Sequence, residues 1–76
     1  MSLNFPIPTI DRVLKDIYLR GGVTTQSKFA RENAVEVAAL ASLGRITTRE
    51  DTTEGFGNVW RITFEGLLKL TEKGLL

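Results

Sequence analysis

The residues best suited to chemistry in this sequence are Arg45, Arg49 and Arg61, and the chemistry is anion binding. In "RITTR", Ile46 and Thr48 alternate with Arg45, Thr47 and Arg49; in "VWRITF", Trp60, Ile62 and Phe64 alternate with Val59, Arg61 and Thr63. A period of two puts alternate residues on opposite faces of a strand. If Ile46 meets Ile62 and Thr48 meets Trp60 on an inner face, Thr47 meets Arg61 on the outer one, where the three guanidiniums gather among threonines. Guanidiniums so placed repel one another unless an anion shares them, and their planar fork suits phosphate. Arginine also protects exposed sheet by staying solvated, so the pattern has a purely structural reading as well. Glu50, Asp51 and Glu54, between the strands, would repel a phosphate and can instead neutralise the arginines.

A second basic group lies upstream. Gln26, Lys28 and Arg31 fall in or near the exposed face of a short polar helix, and Thr24 and Thr25 offer hydroxyls or amides to phosphate at its start. Lys28 and Arg31 also read as solvated charges paired locally with Glu32. Phe56, between two glycines, is either an exposed aromatic anchor or a ring folded back over the strands. "GFG" lacks the third glycine, lysine and hydroxyl of a nucleotide loop.

Composition narrows the function classes. With no histidine and no cysteine among 76 residues, the usual proton shuttle, the commonest metal ligand, a thiolate metal site and any disulfide framework are missing. The expectation is a protein that is not an enzyme and uses no cofactor or metal. Ten Lys and Arg against nine Asp and Glu give a net charge of +1 and a pI near 8.1, below the strongly basic footprint of about 9 and above. The longest apolar run is Val37 to Ala41, far short of a membrane span, and no leader pattern opens the chain. A soluble protein of a reducing cytoplasm is expected.

The elements that must position these groups follow from periodicity. Residues 1–8 read as extended around Pro6 and Pro8, and residues 1–76 as one domain. Thr9 caps a helix with Ile10, Val13, Leu14, Ile17 and Tyr18 on its apolar face, ended by Gly21 and Gly22. Val23 is briefly extended, and Thr24 or Thr25 caps a short helix anchored by Phe29 and Ala30. Asn33, with Glu36 three residues on, reads as the cap of a third helix whose core face is Val37, Leu40 and Ala41 and whose stop is Gly44. The two strands follow, with Trp60, Ile62 and Phe64 facing inward. Thr63 caps "FEGLLKLTEKGLL", in which Leu67, Leu68 and Leu70 are candidate core residues and Gly74 the stop. Five leucines in so short a segment predict apolar surface left over, and hence self-association as a homodimer.

The order is helix, brief strand, helix, helix, strand, wing, strand, helix, an α+β arrangement. With "VAALASLGRITTRE" and "GNVWRITFEGLLKL", it resembles the winged helix-turn-helix family of small bacterial or phage regulators: a three-helix bundle, a two-stranded wing and a final helix. The resemblance implies duplex DNA as the partner and transcriptional regulation as the role, with the third helix in the major groove and the wing on the backbone or minor groove. On that reading Thr24, Thr25, Lys28, Arg31, Arg45, Arg49 and Arg61 are backbone contacts, and Gln26 and Asn33 are base-reading candidates. The third helix departs from the pattern, because Asn33 is alone on its exposed face in having a base-reading side chain, and it also reads simply as a cap. The alternative is a protein-interaction module on the same scaffold, engaging its partner through Val35, Glu36 and Phe56.

Overall fold

The helical chain starts from Pro8, whose carbonyl accepts from the Asp11 and Arg12 amides at 3.0 Å each in the computed structural model, which describes residues 8–49 and 56–76 and, of Phe56, the backbone. Expectations for residues 1–7, for the acids Glu50, Asp51 and Glu54, and for the Phe56 ring lie outside the described residues. Among the described residues the chain forms a small α+β domain of four helices and one three-stranded antiparallel sheet.

Helix α1 spans Thr9–Arg20, so Thr9 is its first helical residue and Pro8, not Thr9, stands at the cap. Val13, Leu14 and Ile17 are buried at helical spacing, while Tyr18 at the edge of the apolar stripe is exposed. Strand β1 is Val23–Thr24 and helix α2 is Lys28–Glu32. The cap of α2 is Ser27, whose hydroxyl oxygen accepts from the Ala30 amide at 3.1 Å and whose hydroxyl donates to the Thr24 carbonyl at 2.7 Å. Thr24 and Thr25 lie too far before Lys28 to cap it and are extended along the sheet instead: Thr24 pairs with Val59, and the Thr25 amide donates to the Asn58 carbonyl at 2.8 Å.

Asn33 alone joins α2 to α3, Ala34–Ser42. The helix-turn-helix connection is usually three or four residues, so this junction is a bend. Asn33 is also used differently from the expected N-cap. Its side-chain amide donates to the Phe29 carbonyl at 2.9 Å, capping the end of α2, and makes no cap bond to α3. The carbonyls freed at a helix C-terminus need donors, and an amide NH₂ can supply one where a hydroxyl or carboxylate oxygen at an N-terminus would accept. Helix α3 then buries Val37 and Leu40 and stops at Gly44, whose φ of +74° is left-handed and lets the Arg45 amide reach back to the Leu40 carbonyl at 2.9 Å.

Strands β2, Ile46–Arg49, and β3, Phe56–Ile62, pair antiparallel, and β3 lies between β1 and β2. Ile46 pairs with Ile62 and Thr47 with Arg61, as the alternation predicts. The ladder then slips, pairing Arg49 with Phe56, and Trp60 pairs with Val23 of β1 rather than with Thr48. At the slip the Thr47 hydroxyl accepts from the Arg49 amide at 3.1 Å, a local bond that competes with the ladder. Phe56 and Gly57 open β3.

Helix α4, Phe64–Glu72, begins where the Thr63 amide donates to the Arg45 carbonyl at 3.0 Å and the Thr63 oxygen accepts from the Gly66 amide at 3.0 Å. That switch from period 2 to period 3.6 turns Phe64 outward: it is 79% exposed, not on the inner face of the sheet. Leu70 is fully buried, whereas Leu68 is exposed. The core is a single cluster in which α1, α3 and α4 meet the inner residues of the sheet, Val23 and Ile46, with Trp60 and Ile62 packed against it.

Candidate nucleic-acid interface

The three arginines do not form one outward cluster. Arg45 precedes β2, its side chain is only 16% exposed, and its guanidinium lies 3.9 Å from Asp11 Oδ1. Asp11 is 1% exposed, and its other oxygen accepts from Lys73 Nζ at 2.8 Å. A carboxylate held inside a small domain needs such partners, since burying an unpaired charge is costly. Asp11 therefore joins α1, the corner before β2 and the end of α4. This cluster is the main feature that sequence reasoning missed. Asp11 stands three residues before Leu14, on a buried side of α1, which was a legible signal; its partners were not.

Arg49 and Arg61 remain as exposed sheet cations. Arg61 stands opposite Thr47, and Val59, two residues before it on the same face of β3, stands opposite Thr24, so the outer face of the three strands carries hydroxyls and a guanidinium. On α2, Lys28 approaches Glu32 at 3.9 Å, but both side chains are well exposed, so the pair is weak and leaves the ammonium open to other anions. Arg31 is exposed and has no ion-pair partner among the described residues. Arg20 lies over the Phe29 ring, 4.4 Å from its centre, and so fastens the end of α1 to α2.

The smaller polar candidates divide. Gln26 is exposed in the turn before α2, and the Thr24 and Thr25 hydroxyls remain candidates. The Thr25 amide is already bonded to Asn58, and the Asn33 side chain is engaged with Phe29, which limits what either can offer a ligand. Glu36 is half-buried on α3, whereas Val35 is 78% exposed.

The outward face of α3 consists of Ala34, Val35, Ala38 and Ser42, with Ala39 half-buried beside them. It carries neither charge nor amide. Helix α3 packs against both α2 and β2. At its far end Leu43 is 53% exposed, and the Thr63 hydroxyl donates to the Gly44 carbonyl at 2.6 Å, which brings the start of α4 and its exposed Phe64 to the same corner.

All ten Lys and Arg residues are among the described ones, whereas three of the nine acids, Glu50, Asp51 and Glu54, are not. Among the described residues no group of three or more His, Cys, Asp or Glu is arranged to hold a metal, and no helix is long and apolar enough to cross a membrane. Comparison with known proteins finds no matching family model, no matching curated protein and no matching solved structure.

Proposed function

We propose that this chain is a small winged-helix protein that binds duplex DNA as a bacterial or phage transcriptional regulator, without catalysis or cofactor. The observation that carries the reading is the set of exposed cations on α2 and the sheet: Lys28 and Arg31 stand on α2, Arg49 on β2 and Arg61 on the adjoining strand β3. The element order and the sheet order β1-β3-β2 support the same scaffold. Lys28, Arg31, Arg49 and Arg61 contact phosphate, the Thr24 and Thr25 hydroxyls assist, and Gln26 reaches bases from the turn before α2. Arg45 holds the corner through Asp11 instead of meeting DNA.

A salt series of duplex binding by fluorescence anisotropy tests this. Four phosphate contacts give a log–log slope of about −3 to −4. A flat, low signal at low salt overturns the reading.

A second reading has its own support: Val35, Leu43 and Phe64 are exposed on α3 and at the α3–α4 corner, which suits a protein partner, and Phe64 with Leu68 one turn later suits a second copy of the chain. Light scattering that detects concentration-dependent dimers, abolished by Phe64→Ser, would favour the homodimer.

A further inference from the structure

We propose that the free edge of β2 is a docking site for the amino-terminal segment of the same chain: residues 3–7 add to it as an antiparallel fourth strand, with Ile7 beside Ile46 and Phe5 beside Thr48. The proposal concerns the sheet and is independent of the DNA-binding reading.

The two edges of the sheet differ. At the β1 edge the Thr24 carbonyl accepts from the Ser27 amide at 3.1 Å and from the Ser27 hydroxyl at 2.7 Å, so the turn into α2 closes that side. At the β2 edge, the bond from the Thr63 amide to the Arg45 carbonyl makes those two residues a hydrogen-bonded pair. Ile46, opposite Ile62, is then a non-hydrogen-bonded position whose own N–H and C=O point away from β3. Alternation gives Thr48 the same direction. Outside the β2–β3 ladder no described residue bonds these backbone groups of Ile46, yet the residue is only 2% exposed. A buried amide and carbonyl nearly always have partners.

The sequence supplies a matching strand. Leu3, Phe5 and Ile7 are apolar at a period of two, and the chain's two prolines, Pro6 and Pro8, fall at the other parity. Each residue that faces β2 in this register therefore keeps its N–H. Pro6 faces outward, where a strand can lack a donor and where its ring blocks pairing with a further chain. Directly opposed residues share a face, so Phe5 and Ile7 join Ile46 on the core side. The start of the described chain is also in the right place. Pro8 is extended, with φ −51° and ψ 141°, and the first turn of α1 brings Asp11 to 3.9 Å from the guanidinium of Arg45, the residue before Ile46. An antiparallel strand ending at Ile7 needs its last residue at that end of β2, and residues 3–7 are long enough to span its four residues.

The test is NMR on the full chain. The Ile46 and Thr48 amides should exchange with solvent as slowly as that of Thr47, which pairs with Arg61. The register also makes Pro6 and Thr47 a close, non-hydrogen-bonded pair, so an NOE between their α-protons is expected. Phe5→Pro removes a donor facing β2 and should speed exchange at Thr48 about two- to tenfold, the range that one net hydrogen bond supplies. Asn4→Pro, at the outward parity, should leave that rate unchanged. Absence of the Pro6–Thr47 contact, or Ile46 and Thr48 amides that exchange at the open-chain rate, overturns the proposal, and so do equal effects of the two proline variants. A contact seen only between labelled and unlabelled copies in a mixed sample also overturns it, since the edge would then hold the segment of a second chain.

Discussion

Lys73 Nζ donates to Asp11 Oδ2 at 2.8 Å, joining residues near the two ends of the described chain, while Arg45 approaches the other oxygen of the same buried carboxylate. The pair is asymmetric, because Asp11 is buried whereas the Lys73 side chain is 44% exposed and can turn to water. Lys73→Met leaves the carboxylate with Arg45 as its charged neighbour, and a loss of about 3 kcal/mol is expected, at the lower end for a broken buried pair. Asp11→Asn should cost less, about 1–3 kcal/mol. Urea denaturation of both variants and the double mutant checks this. The double mutant should be more stable than the summed single losses imply, by about 1 kcal/mol or more. Additive losses would show that the contact carries no coupling.

The Thr63 hydroxyl joins two elements: its oxygen accepts from Gly66 N–H at the start of α4, and its proton goes to the Gly44 carbonyl at the end of α3. Thr63→Ala is expected to lose about 1–2 kcal/mol, the upper range for a helix cap, because a tertiary bond is lost with it. Thr63→Ser should recover most of that loss. Chemical denaturation midpoints of the two variants decide, and equal destabilisation by both would point to the Thr63 methyl instead.

Gly66 is helical, buried and pressed against the Arg45 carbonyl and the Ile62 side chain, the latter 2.8 Å from where a Cβ would sit. Helix propensity alone favours Gly66→Ala by about 0.5–1 kcal/mol. Contact with backbone cannot be relieved by turning a side chain, so overpacking should prevail, with a net loss of about 1–3 kcal/mol. A thermal melt that rises on this substitution would mean the α4–β2 corner yields more easily than its geometry implies.

Arg61 and Arg45, alike in sequence context, should differ in DNA binding. Arg61 is exposed on the outer sheet face and Arg45 is held at Asp11. Arg61→Ala is expected to weaken every duplex about equally and to reduce the magnitude of the salt slope by about one unit. Arg45→Ala should leave the slope unchanged while lowering the denaturation midpoint. Identical slope changes for both would place Arg45 on the DNA as well.

Much of the framework was legible because it depends on local periodicity and chain chemistry. Ile10 through Ile17 repeat at 3.6, Ile46 and Ile62 sit in strands of period 2, and glycines at 21, 44 and 74 mark the left-handed helix ends. Such signals are written within a few residues of where they act. The misassigned caps at Thr9, Thr24 or Thr25, and Asn33 show the limit of local reading: α1 starts from Pro8 with no side-chain cap bond, Ser27 caps α2, and Asn33 bonds the end of α2 instead of the start of α3. Ser27 caps α2 because pairing with β3 keeps the chain extended through Thr24 and Thr25, so the helix begins only at Lys28.

What the tertiary structure decided is which charges and apolar groups face water. Alternation put Arg45 with Arg49 and Arg61, but the approach of α1 brought Asp11 to it and turned a candidate phosphate ligand into an internal ion pair. Alternation also put Phe64 inside, but the Thr63 amide's bond to Arg45 closed the sheet and started a helix there, leaving the ring exposed. Sequence patterns specify the period of a segment, whereas the partner of a buried charge and the residue at which one period yields to another depend on contacts between segments far apart in the chain. The neutral face of α3 belongs to both: its residue types were plain from the sequence, and its exposure followed from Val37 and Leu40 turning to the core.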